Sequence, residues 1–138
     1  MIILTQEQIQ GIRAHGERLY PNECCGVILG LVTEDVREAA DTLPVDNARA
    51  DGEAYHRFVI LPEDFMRAEL AARARGLEII GVYHSHPDHP AAPSAYDREH
   101  AWPFYSYIIV SVEKGKAADI KSFTLSGDRS LMEEEEIG

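Results

Sequence analysis

The sequence predicts a three-layer α/β domain with a mixed β-sheet, and three observations lead to this fold class. Short apolar segments rich in β-branched residues recur along the chain and have the length of strands. Two longer segments between them carry the start and stop signals of helices. Such helices pack on the faces of a sheet. The 138 residues show no internal repeat or long linker, so we expect one domain spanning residues 1–138.

Two helices are predicted from the signals at their ends. Thr5 and Gln8 form a capping box that opens the first helix, which must stop before Pro21. Pro62 suits the first turn of the second helix. Backbone N–H groups in that turn have no partner within the helix, so proline, which lacks an N–H, loses no hydrogen bond there. Gly76 is expected to end that helix.

The strands are predicted from runs of apolar residues bounded by turn residues. We place them at about Cys25–Val32, Glu34–Ala40, His56–Ile60, Leu77–Tyr83, Tyr105–Val112 and Ala118–Leu125. The polar stretch Leu43–Tyr55 is expected to be a mobile loop that could cover a groove. Residues 132–138, which include four consecutive glutamates, are expected to form a solvated acidic tail.

The most informative motif begins at the end of the predicted Leu77–Tyr83 strand. Side chains alternate along a strand, so His84 and His86 should point to one face. The same alternation would put Ile80 and Val82 on that face as well. Pro87 removes a backbone donor and is expected to end the strand.

A third metal ligand is available a few residues later. Ser94 and Asp97 are three residues apart and share a face if a short helix runs from Ser94 to about Ala101. Ser94 would cap that helix, with Asp97 in its first turn. Two imidazoles, one carboxylate and a water make an open tetrahedral zinc site of the hydrolytic kind, so we predict His84, His86 and Asp97 as zinc ligands.

A metallo-β-lactamase site is the main competing interpretation of this part of the sequence. His84, His86, Asp88 and His89 fit the spacing of that signature. That fold needs further ligands downstream, where only His100 remains, and the chain is short for a two-sheet sandwich. His89 is therefore expected to lie in a loop near the metal and not to bind it.

A zinc hydrolase also needs a general base, and Glu23 stands directly before the first predicted strand. The adjacent Cys24 and Cys25 would be strained as a disulfide, and a pair of thiolate ligands would leave no open site. We expect both cysteines to be small buried hydrophobic residues at the start of that strand.

These residues together resemble the JAMM (MPN-plus) metalloprotease family. Glu23, the His84-x-His86 pair, Ser94 after seven residues and Asp97 after two more match its motif at every position. The likeness to small stand-alone bacterial members extends over nearly the whole chain. It implies a cytidine-deaminase-like fold, zinc held by the two histidines and Asp97, Glu23 as acid and base, and Ser94 as a hydrogen-bond donor to the oxyanion.

The resemblance also implies a substrate. Similar enzymes cleave peptide or isopeptide bonds after the C-terminal Gly-Gly of ubiquitin-like proteins, and in bacteria the expected substrates are ubiquitin-like sulfur carriers. Two alternatives stay open: a general metallopeptidase acting on small peptides, and a non-catalytic MPN scaffold. The sequence defines neither the carrier, nor the leaving group, nor the oligomeric state, which could be a homo-oligomer.

Charge and hydropathy restrict the partners. A net charge of −11 argues against nucleic acid and against anionic membranes, because both need clustered lysine and arginine. No apolar run approaches the ~20 residues of a membrane span, and the apolar run at the N-terminus is too short for a signal peptide. We therefore expect a cytoplasmic protein.

Overall fold

A mixed β-sheet forms the centre of the protein. The computed structural model describes residues 1–48 and 58–138. Seven strands of these residues form the sheet in the order β1-β3-β2-β4-β5-β6-β7. Pairs β1–β3 and β4–β5 are parallel and the others antiparallel. The bounds are β1 Ile2–Ile3, β2 Cys25–Thr33, β3 Val36–Val45, β4 Glu78–Pro87, β5 Ser106–Glu113, β6 Lys116–Leu125 and β7 Met132–Glu135. The predicted α/β class with a mixed sheet is confirmed.

Helices begin where the sequence signals predict them. The helices are α1 Gln6–Leu19, α2 Pro62–Ala74 and α3 Ala95–Glu99. The Thr5 hydroxyl accepts a bond of 3.1 Å from the Gln8 N–H, and the Gln8 side chain accepts one of 2.9 Å from the Thr5 N–H. This capping box satisfies two N–H groups that have no partner within the helix.

Two apolar clusters on opposite faces of the sheet produce the three layers. The larger cluster joins α1 to one face and includes Ile2, Ile12, Ile28, Tyr83, Ile108, Val110 and Val112. The other joins α2 to the opposite face and includes Val27, Leu29, Ala68, Ala72 and Ile79. Together they bury apolar side chains on both faces of β2 and β4, whereas Leu31 and Val32 near the end of β2 stay exposed.

A β-bulge in β4 changes which side chains share the face of the histidines. Ile28 pairs with Gly81 but Leu29 pairs with Ile79, so Ile80 is the extra residue. Ile80 therefore packs in the α1 cluster, whereas Val82 packs with residues on the other face. The predicted common face is correct for Val82 and both histidines and wrong for Ile80.

The predicted acidic tail is wrong for Met132–Glu135, which form strand β7 against β6. The Glu135 side chain is largely buried, accepts a 2.7 Å bond from the Ser122 hydroxyl and pairs with the N-terminal amine at 3.4 Å. Backbone bonds then join residues 136–138 to Ile2 in β1. The two outermost strands of the sheet are thereby linked, which protects their edges.

Two sequence predictions fall partly on residues 49–57, outside the described residues. One of them is the strand predicted at His56–Ile60. Its described part, residues 58–60, does not lie in a strand, and residues 56–57 are not described. The predicted Leu43–Tyr55 loop begins later than expected, because Leu43, Pro44 and Val45 continue β3. Among the residues described, no helix is both long and apolar enough to cross a membrane.

Candidate metal centre

Three side chains from two elements meet at the end of β4. His84 Nε2 lies 3.1 Å from His86 Nε2 and 3.3 Å from Asp97 Oδ1, and His86 Nε2 lies 3.2 Å from Asp97 Oδ2. A tetrahedron with ligand bonds of 2.0–2.1 Å has edges of about 3.3 Å, so these atoms are spaced as zinc ligands are. The three side chains are nearly buried and could hold a metal ion.

The orientation of each imidazole is set by a different contact. The His86 Nδ1–H donates a 2.9 Å bond to the Pro90 carbonyl. A proton on Nδ1 leaves the lone pair of Nε2 free to bind a metal. The His84 ring stacks on Phe58 with centroids 4.6 Å apart. Its Nδ1 has no hydrogen-bond partner within residues 1–48 and 58–138.

Ser94 and Asp97 form the predicted helix cap. The Ser94 Oγ accepts a 3.1 Å bond from the Asp97 N–H, and Asp97 Oδ2 accepts a 2.9 Å bond from the Ser94 N–H. The same carboxylate faces both imidazoles, so the capping box holds Asp97 in place for a metal. Ser94 Oγ acts as an acceptor in the cap, so within the described residues its O–H can donate to a substrate.

The charge of the site favours a cation. Burial opposes ionisation of Asp97, but His84 and the hydrogen bonds to its carboxylate outweigh burial and hold its pKa well below the usual range. Burial lowers the pKa of His84 despite the nearby carboxylate. At neutral pH the centre therefore presents an ionised carboxylate beside a neutral His84, a combination that suits a divalent cation.

Glu23 shares a cavity with His86 and Ser94. It lies two residues before the start of β2 and is 4% exposed. Burial lowers the pKa of His86, but the hydrogen bonds to Asp97 and to the Pro90 carbonyl outweigh burial and raise it, and Glu23 adds to that rise. The cavity measures about 470 Å³ and is lined by Glu23, His86, His89, Pro90, Ala92, Ser94, Ala95 and Tyr96. The structure thus brings all five predicted site residues to one place.

Asn47 fixes the backbone at Glu23 and was not singled out from the sequence. Its Nδ2 donates a 3.1 Å bond to the Glu23 carbonyl, and its Oδ1 accepts one of 3.1 Å from the Val59 N–H. One side chain thereby ties the strand entrance to the segment before α2. A single Asn in a polar stretch gives no sequence signal of this role.

A second, apolar groove opens on the other side of the centre. It measures about 570 Å³, and His84 and Asp97 lie at its margin. Most of its wall is aromatic or aliphatic: Phe58, Ile60, Phe65, Met66, Trp102, Tyr105 and Tyr107. Tyr96 borders this groove as well as the Glu23 cavity. The sequence did not predict it, because its wall comes from segments far apart in the chain.

The additional ligands of a metallo-β-lactamase site lie outside the cluster that the described residues form. Asp88 is exposed and accepts a 2.6 Å bond from the Tyr20 hydroxyl and a 2.8 Å bond from the Lys114 N–H. His100 stacks on Tyr96 at 4.1 Å. Asp88 and His100 thus have local structural contacts, and His89 borders the cavity, as expected for a loop residue.

The two cysteines have the character predicted for them. Cys24 and Cys25 are free and buried. Burial raises the pKa of the Cys24 thiol to about 11, and burial also raises that of Cys25. Both stay protonated at neutral pH, which makes them unreactive.

The fold and the family match define a domain of the JAB1/MPN class. A JAB1/MPN domain protein from Archaeoglobus fulgidus superposes with a TM-score of 0.59 at 20% identity, over 99% of this chain and 94% of that one. The family model of prokaryotic homologs of the JAB domain matches residues 5–126. The chain belongs to this family, and the resemblance stated from the motif is confirmed.

Other solved and curated proteins are more similar in sequence. A solution structure from Desulfitobacterium hafniense is 36% identical with a TM-score of 0.84, over 99% of this chain and 91% of that chain. A desampylase of Haloferax volcanii is 38% identical over 92 residues, 66% of this chain and 63% of the relative.

Two further curated relatives are more distant. Tail tip assembly protein K of Escherichia phage N15 is 29% identical over 94% of this chain and 48% of its own length. A probable TtuB-protein conjugate cleaving protease of Thermus thermophilus is 28% identical over 79% of this chain and 69% of its own length. The match spans less than two thirds of the first two curated relatives.

Proposed function

We propose that the chain is a zinc-dependent peptidase or isopeptidase that cleaves after the C-terminal Gly-Gly of a ubiquitin-like sulfur-carrier protein. The observation that carries the proposal is the convergence of His84, His86 and Asp97, with Glu23 and Ser94 lining the same small cavity. A cytoplasmic location stays a prediction.

The chain's own residues supply distinct parts of the reaction. His84, His86 and Asp97 would hold zinc, which when bound lowers the pKa of water to ~7 and polarises a carbonyl. The Glu23 carboxylate accepts a proton from the attacking water and passes it to the leaving amine. The Ser94 hydroxyl, whose oxygen accepts the capping bond, donates its proton to the oxygen that becomes negative as the carbonyl is attacked.

The shape around the centre supports a thin, flexible substrate tail. His84 and His86 are 1% and 8% exposed, so a carbonyl reaches them only if its neighbours have little or no side chain. A Gly-Gly tail meets this condition. Since Glu23 protonates the amine, the leaving group lies in the Glu23 cavity and the tail enters from the apolar groove.

The curated relatives support the same substrate class. One is named desampylase and another a probable TtuB-protein conjugate cleaving protease. Beside the apolar groove, Met66 and Trp102 are 61% and 57% exposed. An exposed apolar surface next to a candidate catalytic centre suits a protein partner.

The test is to incubate the zinc-loaded protein with ubiquitin-like proteins that carry residues beyond Gly-Gly, and with their lysine-linked conjugates. Mass spectrometry should show loss of the extension, leaving Gly-Gly at the end. Replacing the last Gly of the substrate by Val should block cleavage through a clash at the centre. If the Val substrate is cleaved as fast as the Gly substrate, or if only unrelated dipeptides are hydrolysed, the protein is a general metallopeptidase. No hydrolysis of any substrate would leave a non-catalytic scaffold.

A further inference from the structure

The turn that follows β4 is held by bonds from three directions. The Asp88 N–H donates a 2.7 Å bond to the Val112 carbonyl of β5. The Asp88 carboxylate accepts a bond from the Tyr20 hydroxyl after α1 and one from the Lys114 N–H in the β5–β6 turn. Asp88 has a φ of 57°, a left-handed conformation that aspartate tolerates better than most residues.

Ser111 adds a buried anchor to the next residue of this turn. It pairs with His86 across the parallel β4–β5 ladder and is 1% exposed. Its hydroxyl donates a 2.7 Å bond to the His89 carbonyl. A serine at this depth in an apolar strand needs such a partner, and the partner lies in the turn beside the metal centre.

The anchored turn presents one carbonyl to His86. The Pro90 carbonyl, one residue beyond the anchored His89 carbonyl, accepts bonds from His86 Nδ1 at 2.9 Å and from the Ala92 N–H at 2.8 Å. The proline ring fixes φ near −65°, so holding the preceding carbonyl fixes the position of the Pro90 carbonyl carbon, and the bonds from His86 and Ala92 then set the direction of its oxygen. Because a carbonyl only accepts, its bond with His86 requires a proton on Nδ1.

We propose that Ser111 is a positioning residue for His86. By holding the His89 carbonyl, it keeps the Pro90 carbonyl aimed at Nδ1, so that Nε2 is the nitrogen that faces His84 and Asp97. This inference rests on the metal centre of the proposed function and adds a residue that the JAMM motif does not contain.

The test compares Ser111→Ala with a matched control, Ser122→Ala. Ser122 is also a fully buried serine in a neighbouring strand, and its hydroxyl also donates a 2.7 Å bond, to Glu135. Both changes should lower the thermal midpoint to a similar extent. Only Ser111→Ala should raise the Kd for zinc, measured by competition with a chromogenic chelator, by ~10- to 100-fold, as loss of a group that orients a ligand does.

A second measurement works on the metal-free protein. The ¹⁵N chemical shifts of the His86 ring should report a proton on Nδ1 in the wild type and in Ser122→Ala. In Ser111→Ala the Nδ1 shift should move towards the value of a ring nitrogen that has lost its hydrogen bond to the Pro90 carbonyl. An unchanged zinc Kd together with unchanged His86 shifts in Ser111→Ala would overturn the inference, as would an equal loss of zinc affinity in Ser122→Ala. If the wild type binds no zinc, the proposed function fails, and the ring shifts alone decide the role of Ser111.

Discussion

His84 Nε2 and His86 Nε2 lie 3.1 Å apart, although the two histidines are neighbours on one face of a single strand. Rings on adjacent same-face positions of a strand do not converge by default, because the side chains stand roughly parallel. Here Phe58 stacks on the first ring and the Pro90 carbonyl holds the second. The convergence is therefore built by contacts from outside the strand.

The first prediction concerns metal binding by the three convergent side chains. Purified protein supplied with zinc should hold about one ion per chain, as a three-ligand site does. Substituting His84, His86 or Asp97 by Ala should each weaken or abolish binding, measured by elemental analysis after gel filtration. His100→Ala is the matched control, because His100 lies close by but outside the cluster.

The same measurement of zinc content also tests the metallo-β-lactamase interpretation. Asp88→Ala and His89→Ala should leave a bound zinc in place. Two zinc ions per wild-type chain, one of them lost in either variant, would revive that interpretation. Zinc-treated wild-type protein that contains no metal would refute the whole centre.

The second prediction separates capping from catalysis at Ser94. Ser94→Ala should lower the free energy of unfolding by ~1 kcal/mol, as loss of an N-cap does. If its hydroxyl also donates to the oxyanion, kcat should fall by ~10²–10³-fold at full zinc occupancy. Thr5→Ala removes the equivalent capping box of α1 and should lower stability alone. Unchanged turnover in Ser94→Ala would show that Ser94 caps the helix and has no catalytic role.

The third prediction concerns the apolar groove. Met66 is 61% exposed on α2, so Met66→Ala should fold normally. If the substrate covers this side chain, its loss removes about 1.5 kcal/mol of apolar burial and raises KM about tenfold. The kcat should not change, since the contact is the same before and during the reaction. Leu31→Ala is the control, because Leu31 is 50% exposed near the far end of β2, outside the groove. An equal KM effect there would rule out groove docking.

The fourth prediction concerns pH and His15, which is buried with its Nδ1 2.7 Å from the Tyr83 hydroxyl. Burial lowers the pKa of His15, Arg18 lowers it further, and Asp46 opposes them. The unfolded chain then binds more protons, so stability should be full above pH 6.5 and fall as the pH drops below that value. Denaturant unfolding should show a shallower acid loss in His15→Gln, and identical pH profiles would contradict this account.

The parts of the structure that follow local rules were predictable from the sequence. Capping residues fixed the start of α1 and of α3, because a side chain acting on N–H groups three residues away is a local interaction. The alternation of a strand placed His84 and His86 on one face. The common face of the two histidines and the cap that holds Asp97 therefore followed from spacing alone.

The features that were predicted wrongly or not at all depend on contacts between residues distant in the chain. Ile80 left the predicted face because β2 and β4 are out of register by one residue, which only their pairing reveals. The glutamates of β7 resemble a solvated tail in composition, yet β6, the N-terminal amine and Arg37 hold Glu135 in a strand. The apolar groove and the role of Asn47 likewise arise from contacts between separate segments.

Cleavage and zinc content measured on one preparation of the Glu23→Gln variant test the central claim most directly. Glutamine has the size of glutamate but cannot accept the proton of the attacking water. The variant should keep the wild-type zinc content and thermal midpoint and cleave a ubiquitin-like protein extended beyond Gly-Gly with kcat lowered by ~10²–10⁴-fold. Loss of zinc in Glu23→Gln would instead make Glu23 a fourth ligand of a structural site. Wild-type kcat in the fully loaded variant would contradict the assignment of Glu23 as the acid and base of a zinc peptidase.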